Sequence, residues 1–398
     1  MSKDSTYEIR GVSASKDEVH NAIKDLDKGI FPNAFCKVIP DVVGGDKEYC
    51  NIMHADTAGT KTSLAYMYWA ETGDISVWKG IVEDALVMNL DDMACIGCLN
   101  NIVLSSTIGR NKSLISGDVL KEIITHTQTY IDELQNFGID IFHSGGETAD
   151  VGDIVRTIDV GFTTFARMPR RDVISIDIQP GDVIVGLSSS GQTKWEKYYN
   201  GGMGSNGLTS ARHDVFHHSY AAKYPETYNP SIPNDFVFSG SKLLTDSINI
   251  SDSMAIEVGK LVLSPTRTYM PVLKPLIAAF KDRISGIIHC SGGGQTKVSK
   301  FMSNHTTLIK NNLFDLPPLF QIIRDESGLN YKEMYQVFNM GHRMELYVKS
   351  VSAASEMIDM CKEFDLDAQI IGEVIKSPNQ KRIIITSPES EEIEYKFE

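Results

Sequence analysis

The chain has 398 residues, 42% of them hydrophobic, which is enough to bury more than one sizeable core, so two domains are expected. Its 38 basic and 52 acidic residues leave a net charge of −14, which argues against a broad nucleic-acid surface or an anionic membrane as partner. The polar start Met1-Ser2-Lys3-Asp4-Ser5 leads into no apolar signal core, no run approaches the roughly twenty apolar residues of a membrane span, and the scattered cysteines suit a reducing cytoplasm without disulfides.

The first informative segment is a strand-like run, Tyr49 to Met53, that feeds His54-Ala55-Asp56-Thr57-Ala58-Gly59-Thr60-Lys61 and then a helical pattern from about Thr62. This strand-to-helix turn has the inventory of a metal-bound nucleotide site. Asp56 supplies a carboxylate for Mg²⁺, Gly59 lets a ligand approach the backbone beside Thr60, and Lys61 suits phosphate oxygens. Apolar spacing predicts helices over about 62–71 and 76–96. The second contains Asp91-Asp92, a pair of carboxylates that is costly in an apolar helix unless one faces solvent or a cation. Cys95-Ile96-Gly97-Cys98 lacks a second pair and reads as the end of that helix.

A strand over 101–106, an amphipathic helix over about 116–137 and a short buried strand over 139–144 follow. The last runs into Ser144-Gly145-Gly146-Glu147-Thr148, where the glycines would bring backbone to a ligand and Glu147 would place a carboxylate at the strand's end. After a strand over 156–165, Met168-Pro169-Arg170-Arg171 breaks the pattern and divides the chain into expected domains 1–167 and 168–398.

The second half opens with a turn at Pro180-Gly181-Asp182, a strand over 183–187, and Ser188-Ser189-Ser190-Gly191. The polar and aromatic segment from Gln192 to Met203 precedes Gly204-Ser205-Asn206-Gly207 and a helix through Arg212. Residues 213–259 carry little readable pattern. A strand over 284–289 ends in His289 and enters Cys290-Ser291-Gly292-Gly293-Gly294, a setting that suits a phosphate held by backbone N–H groups, with His289 placed to donate a hydrogen bond or shuttle a proton. A helix stopped by Asn339 and Gly341 follows. A strand over 344–348, a helix over 352–364 and strands near 369–371 and 383–385 complete the pattern.

In this order, Asp56-Thr57-Ala58-Gly59-Thr60-Lys61, Asp91-Asp92, Gly145-Gly146-Glu147-Thr148, Ser205-Asn206-Gly207, Ser264-Pro265-Thr266-Arg267-Thr268-Tyr269, Ser291-Gly292-Gly293-Gly294 and Phe338-Asn339-Met340-Gly341 resemble the aminoimidazole ribonucleotide synthetase (phosphoribosylformylglycinamidine cyclo-ligase) family, from about Tyr7 to Ile385. The resemblance implies a two-domain α/β (α+β) fold whose N-terminal sheet pairs into a barrel across a homodimer. It also implies a purine-biosynthetic ligase that closes formylglycinamidine ribonucleotide to aminoimidazole ribonucleotide with ATP and Mg²⁺. By position, Asp56, Asp92 and Glu147 would serve metal and ATP, with Lys61, Gly59, Thr60 and Lys24 on the nucleotide. Ser205, Asn206, His289 and Ser291 to Gly294 would face the substrate.

Several family positions read differently here. The N-terminal glycine loop is reduced to Val43-Gly44-Gly45-Asp46, Gly204 stands where a histidine usually precedes Ser-Asn-Gly, Gln295-Thr296-Lys297 follows the triple glycine, and Phe-Asn-x-Gly-x-Gly-Met becomes Phe338-Asn339-Met340-Gly341-His342-Arg343-Met344. His213, His217, His218 and His342 are candidates to replace the absent histidine. Two other readings stay open: a small-molecule kinase of the same superfamily, of the thiamine-monophosphate or selenide type, and a nucleotide-binding maturation protein without turnover.

Overall fold

The computed structural model describes residues 6–12, 21–23, 25–378 and 380–397; Lys24, expected near the nucleotide, lies outside them. Strands β1 (Val38–Pro40), β2 (Tyr49–Thr57), β3 (Ile102–Arg110), β4 (Ile141–Asp150) and β5 (Ile158–Pro169) form an open sheet in the order β1-β2-β5-β3-β4. Only β3 and β4 are parallel, and the Gly117–Gln135 helix makes the crossover that a parallel pair needs. Its buried residues, including Val119, Ile123, Tyr130 and Leu134, fall on one stripe that packs against the Val77–Ala94 helix. That helix is buried on nearly all sides because it lies among the sheet, the crossover helix and the second half of the chain.

The second sheet joins β6 (Val183–Ser188), β9 (Ile284–His289), β10 (Thr306–Lys310), β11 (His342–Val348), β12 (Ala368–Lys376), β13 (Lys381–Thr386) and β14 (Glu392–Phe397) in the order β14-β13-β10-β12-β6-β11-β9. Every residue of β6, β9 and β11 is buried; β6 and β9 are mostly apolar, whereas β11 also buries His342, Arg343 and Glu345. A small hairpin, β7 (Ser247–Ser251) with β8 (Met254–Glu257), occupies part of the segment that carried little sequence pattern.

Strand β4 runs through the expected Gly145-Gly146 loop instead of stopping before it. The register shifts between Leu104 and Ser106, Gly145 adopts φ +94°, and a Cβ on Gly146 would fall 2.1 Å from Ser106 Oγ. These glycines therefore make a bulge pressed against β3, and their spacing is explained by strand packing. On the outer face Met53, Phe165, Val103 and Phe142 are in register across β2, β5, β3 and β4. Met53 is 65% and Phe142 56% exposed, so the described residues leave this apolar row uncovered. Among the described residues no barrel closes within one chain, and no helix is long and apolar enough to cross a membrane.

Candidate active site

The Val77–Ala94 helix presents Asp84, Asp91 and Asp92 to the junction with the second half of the chain, while Glu83 pairs with His126 of the crossover helix. Asp84 and Asp91 are seven residues apart, two helical turns, and share a face. Asp84 Oδ1 accepts from Lys61 Nζ at 2.8 Å and from the Thr266 backbone at 2.8 Å. Lys61 is fully buried, with the Ser264 carbonyl as a further acceptor, so the expected phosphate lysine is instead an interior cation that joins the two halves. Burial lowers its pKa, opposed by Asp84. Asp91 receives Thr268 Oγ1 at 2.8 Å, the Tyr269 N–H at 3.2 Å and Arg343 Nη2 at 3.4 Å. Burial pushes its carboxyl up against these contacts.

Asp92 sits between two imidazoles, with Oδ1 2.6 Å from His289 Nδ1 and Oδ2 3.2 Å from His54 Nε2. Burial would raise Asp92, yet the two histidines hold it well below the usual carboxylate range. His54 Nδ1 meets Asn89 Oδ1 at 3.0 Å. Burial disfavours charging His54, but Asp92 prevails and raises its pKa. The other ring nitrogen of His289, Nε2, accepts from Arg343 Nε at 3.1 Å. Both nitrogens of His289 are thus occupied, and the proton shuttle expected of it has no free nitrogen in this arrangement.

Alternation along β2 puts Asp56 on the same face as His54, toward the helix that carries Asp92. Glu147 lies elsewhere. It is registered with Thr107, and through Gly161 with Thr57, on the outer face of the sheet and three strand spacings from β2, about 14 Å. One chain therefore does not gather Asp56, Asp92 and Glu147 around a single ion, and both oxygens of Asp92 already have partners. The set expected to hold Mg²⁺ does not fit one ion here.

The glycine-bearing turns do converge. Gly59 has φ +63° with open space where a side chain would be, at the start of the Lys61–Thr72 helix. Its neighbour Thr60 meets Thr209 across the junction, Oγ1 to Oγ1 at 2.8 Å. Thr209 belongs to the helix that follows Ser205-Asn206-Gly207, and Asn206 Nδ2 lies 3.4 Å from where a Cβ on Gly292 would be. The Gly292 N–H has no partner among the described residues, and Gly293, at φ +96°, has its nearest neighbours no closer than 3.6 Å. Gly294 differs: a Cβ there would press within 2.5 Å of the Tyr335 carbonyl, so this glycine serves packing. Ser291 is buried. Of the expected loop, Gly292 and Gly293 are the part open to a ligand, and Ser205 Oγ, buried without a partner, lies on the facing turn.

Adjoining sequence profiles cover both halves: AIR synthase related protein, N-terminal domain, over residues 34–168, and AIR synthase related protein, C-terminal domain, over residues 179–385. The chain belongs to the AIR synthase related family. It is 27% identical over 336 residues to a phosphoribosylformylglycinamidine cyclo-ligase of Methanocaldococcus jannaschii, covering 83% of this chain and 79% of that protein. It is 25% identical to the protein of the same name from Alkaliphilus metalliredigens, covering 94% and 96%. Among solved structures it resembles a HypE–HypF complex (TM-score 0.54, 12% identity, 96% and 98% covered). It also resembles T. maritima PurL complexed with FGAR (TM-score 0.52, 15% identity), covering 96% of this chain but about half, 49%, of the PurL chain. At such identities these structures share the fold alone.

Against the AIR synthase pattern, the place beside Gly204 is filled by Arg343, whose Cδ lies 3.5 Å from a Cβ built on that glycine. None of the four candidate histidines stands there. His213 is held by Arg212 and the Phe238 N–H, His217 by Ser219, His218 by the Val237 carbonyl, and His342 by Glu345. Glu345 is the centre of a buried network: Oε1 meets Lys310 Nζ at 2.5 Å and His342 Nε2 at 3.0 Å, and Oε2 meets Tyr347 at 2.7 Å. Cys290, His342 and Glu345 are metal-ligand types gathered together, but the Lys310 ammonium already supplies the cation. Lys310 also bonds Gln295, which holds the Asn339 and His342 carbonyls, so the network braces both loops behind the cleft.

The segment Gln192 to Met203 ties the halves together. Glu196 clamps Arg267 through both oxygens, at 2.9 and 2.6 Å. Trp195 packs between Phe137 and Phe364, and Lys197 pairs with Glu133. Sequence reasoning passed over Asp84, His54, Asn89 and Arg343. Asp84 did carry a signal, a charge inside an apolar helix seven residues before Asp91; His54 and Arg343 carried none that separates them from ordinary strand residues.

Proposed function

We propose that the protein is an ATP-dependent cyclo-ligase that converts formylglycinamidine ribonucleotide to aminoimidazole ribonucleotide, ADP and phosphate in purine biosynthesis. One observation carries the reading: the helix N-terminus after Gly59, whose own N–H is held by Thr57 Oγ1, and the Gly292-Gly293 loop meet at one junction through Thr60, Thr209 and Asn206, and both can offer backbone N–H groups to anionic oxygens. Such a cleft suits a nucleotide on the first half and a ribose phosphate on the second. The family and the names of its relatives point the same way.

An amide oxygen is a poor leaving group. Transfer of the γ-phosphoryl group to the formyl oxygen makes it a phosphate that can depart, and the ribose-bearing amidine nitrogen closes the ring as it leaves. The chain's part in this is to position both substrates and exclude water. Mg²⁺ would arrive with ATP and neutralise phosphate charge, and Asp56 is the carboxylate proposed to meet it. The test is direct: incubate the protein with ATP, Mg²⁺ and formylglycinamidine ribonucleotide and look for aminoimidazole ribonucleotide. Absence of product with both ligands bound would sink the reading.

A second reading, a superfamily kinase or a nucleotide-binding maturation protein without turnover, is favoured by the double engagement of His289 and of Asp92. ATP bound without ribonucleotide-dependent hydrolysis would select it. We further propose a cytoplasmic homodimer in which a second copy covers the Met53-Phe165-Val103-Phe142 row, since an apolar face this exposed on an open sheet invites pairing. A stable monomer at micromolar concentration in sedimentation would exclude the dimer.

A further inference from the structure

Arg343 stands where three parts of the cleft meet. Its side chain is 3% exposed, and its guanidinium bonds His289 Nε2, Asp91 and the Arg267 carbonyl. It also lies over the Tyr269 ring, 5.4 Å from the centroid. Its stem passes under Gly204, where a Cβ would meet Cδ at 3.5 Å and Nη1 at 3.7 Å. Gly204 does not occupy the left-handed region, so the backbone there accepts any residue. What limits position 204 is the arginine: a methyl group fits at ordinary contact, and a longer side chain collides.

We propose that Arg343 is a positioning residue of this cleft. It holds the His289 ring from the Nε2 side against Asp92 on the Nδ1 side, and it props the Gly204-Ser205-Asn206 turn that faces Gly292. Gly204 is small because Arg343 is large. The planar fork reaches three acceptors at once, which the single ammonium of a lysine cannot do in the same place. Asp91 balances its charge, so the cation belongs to the scaffold and leaves substrate anions to the backbone of Gly292 and Gly293.

The kinetic part of the test rests on the proposed cyclo-ligase activity; the other two parts do not. First, thermal midpoints of G204A, G204H, R343A and R343A/G204H are compared. G204A is expected to keep the parental midpoint, G204H to lose several degrees, and the double variant to lose no more than R343A alone, because neighbours in contact are not additive. A G204H variant as stable as the parent, or additive losses in the double variant, would overturn the packing. Second, ¹⁵N spectra of the imidazoles at fixed pH should show His289 Nε2 as an acceptor in the parent and lose that signature in R343K. An unchanged His289 signal in R343K would overturn the positioning role. Third, R343K should lower kcat roughly a hundredfold while leaving the KM for ATP within about twofold, as expected of misplacement and not of lost nucleotide binding. Parental kcat in R343K would also overturn it. If the parent itself forms no product, the cyclo-ligase reading has failed, and the midpoints and spectra still decide the role of Arg343.

Discussion

The acidic residues of the Val77–Ala94 helix and those of the five-stranded sheet's rim are the same chemistry in two surroundings. Asp84, Asp91 and Asp92 point into the junction between the halves, where Lys61, Arg343 and two histidines meet them. Asp56 and Glu147 stand at the rim, partly or largely exposed. Burial decides the difference: a carboxylate taken from water must be paired, and once paired it serves the scaffold, whereas a carboxylate at the rim stays hydrated and incurs less of that cost; Asp56 Oδ1 there accepts the Thr57 N–H at 2.8 Å. The residues that look most like ligands in the sequence are therefore divided between the buried junction of the two halves and the solvated rim of the sheet.

The sharpest way to break that division is at Lys61. Lys61→Met leaves Asp84 buried without its cation and should cost about 3–5 kcal/mol of stability, read as a fall in the urea midpoint. A variant of parental stability that has lost only ATP affinity would return Lys61 to the phosphates. The Glu345 network offers a second, pH-dependent test. Burial would raise the Glu345 carboxyl, but Lys310 and His342 outweigh it and bring it down to about 2. A depressed carboxylate stabilises the fold above its unfolded pKa of about 4.3, and that contribution is lost as pH falls toward 2, on the order of 3 kcal/mol. Urea titrations from pH 5 to about 2 should show this slope flattened in Glu345→Gln; an equal slope in parent and variant would dissociate Glu345 from the acid response.

Asp92→Asn should be milder, about 1.5–3 kcal/mol, because the amide keeps the volume but loses charge-assisted bonds to His54 and His289. Calorimetry with Mg²⁺-ATP then separates the roles. Weakened binding at unchanged stability would make Asp92 a nucleotide residue and not a scaffold one. The smallest stability effect is expected for Glu147→Gln, within about 0.5 kcal/mol, since the side chain is exposed on the outer face. Turnover should carry whatever effect it has, and a large loss of stability would show that Glu147 is tied into the sheet.

Much of the secondary structure was legible in both halves. The helices expected over 62–71 and 76–96 are found at Lys61–Thr72 and Val77–Ala94, and the strand expected over 284–289 is Ile284–His289. Strands β1, β10 and β14 and the hairpin β7-β8 were not anticipated. β7 and β14 do alternate polar and apolar residues, but each alternation is short, five and six residues, and β7 and β8 have little burial. At the site, the sequence singled out the turns that converge, around Gly59, Asn206 and Gly292. It assigned Lys61, Gly294 and His289 to ligands, where the fold gives them protein partners.

Periodicity and local chemistry, which are properties of neighbouring residues, determined the alternating strands and helices, the glycine-bearing turns and the family pattern. Partner choice was decided only in three dimensions. Lys61 meets Asp84 because helix spacing turns that carboxylate inward, Glu147 is parted from Asp56 because a bulge and strand alternation set them on opposite faces, and Arg343 reaches Gly204 across 139 positions of chain. Which charge a buried group pairs with depends on distances that no stretch of sequence contains, and in an interior of low polarity those distances fix whether the group binds a ligand or holds the fold.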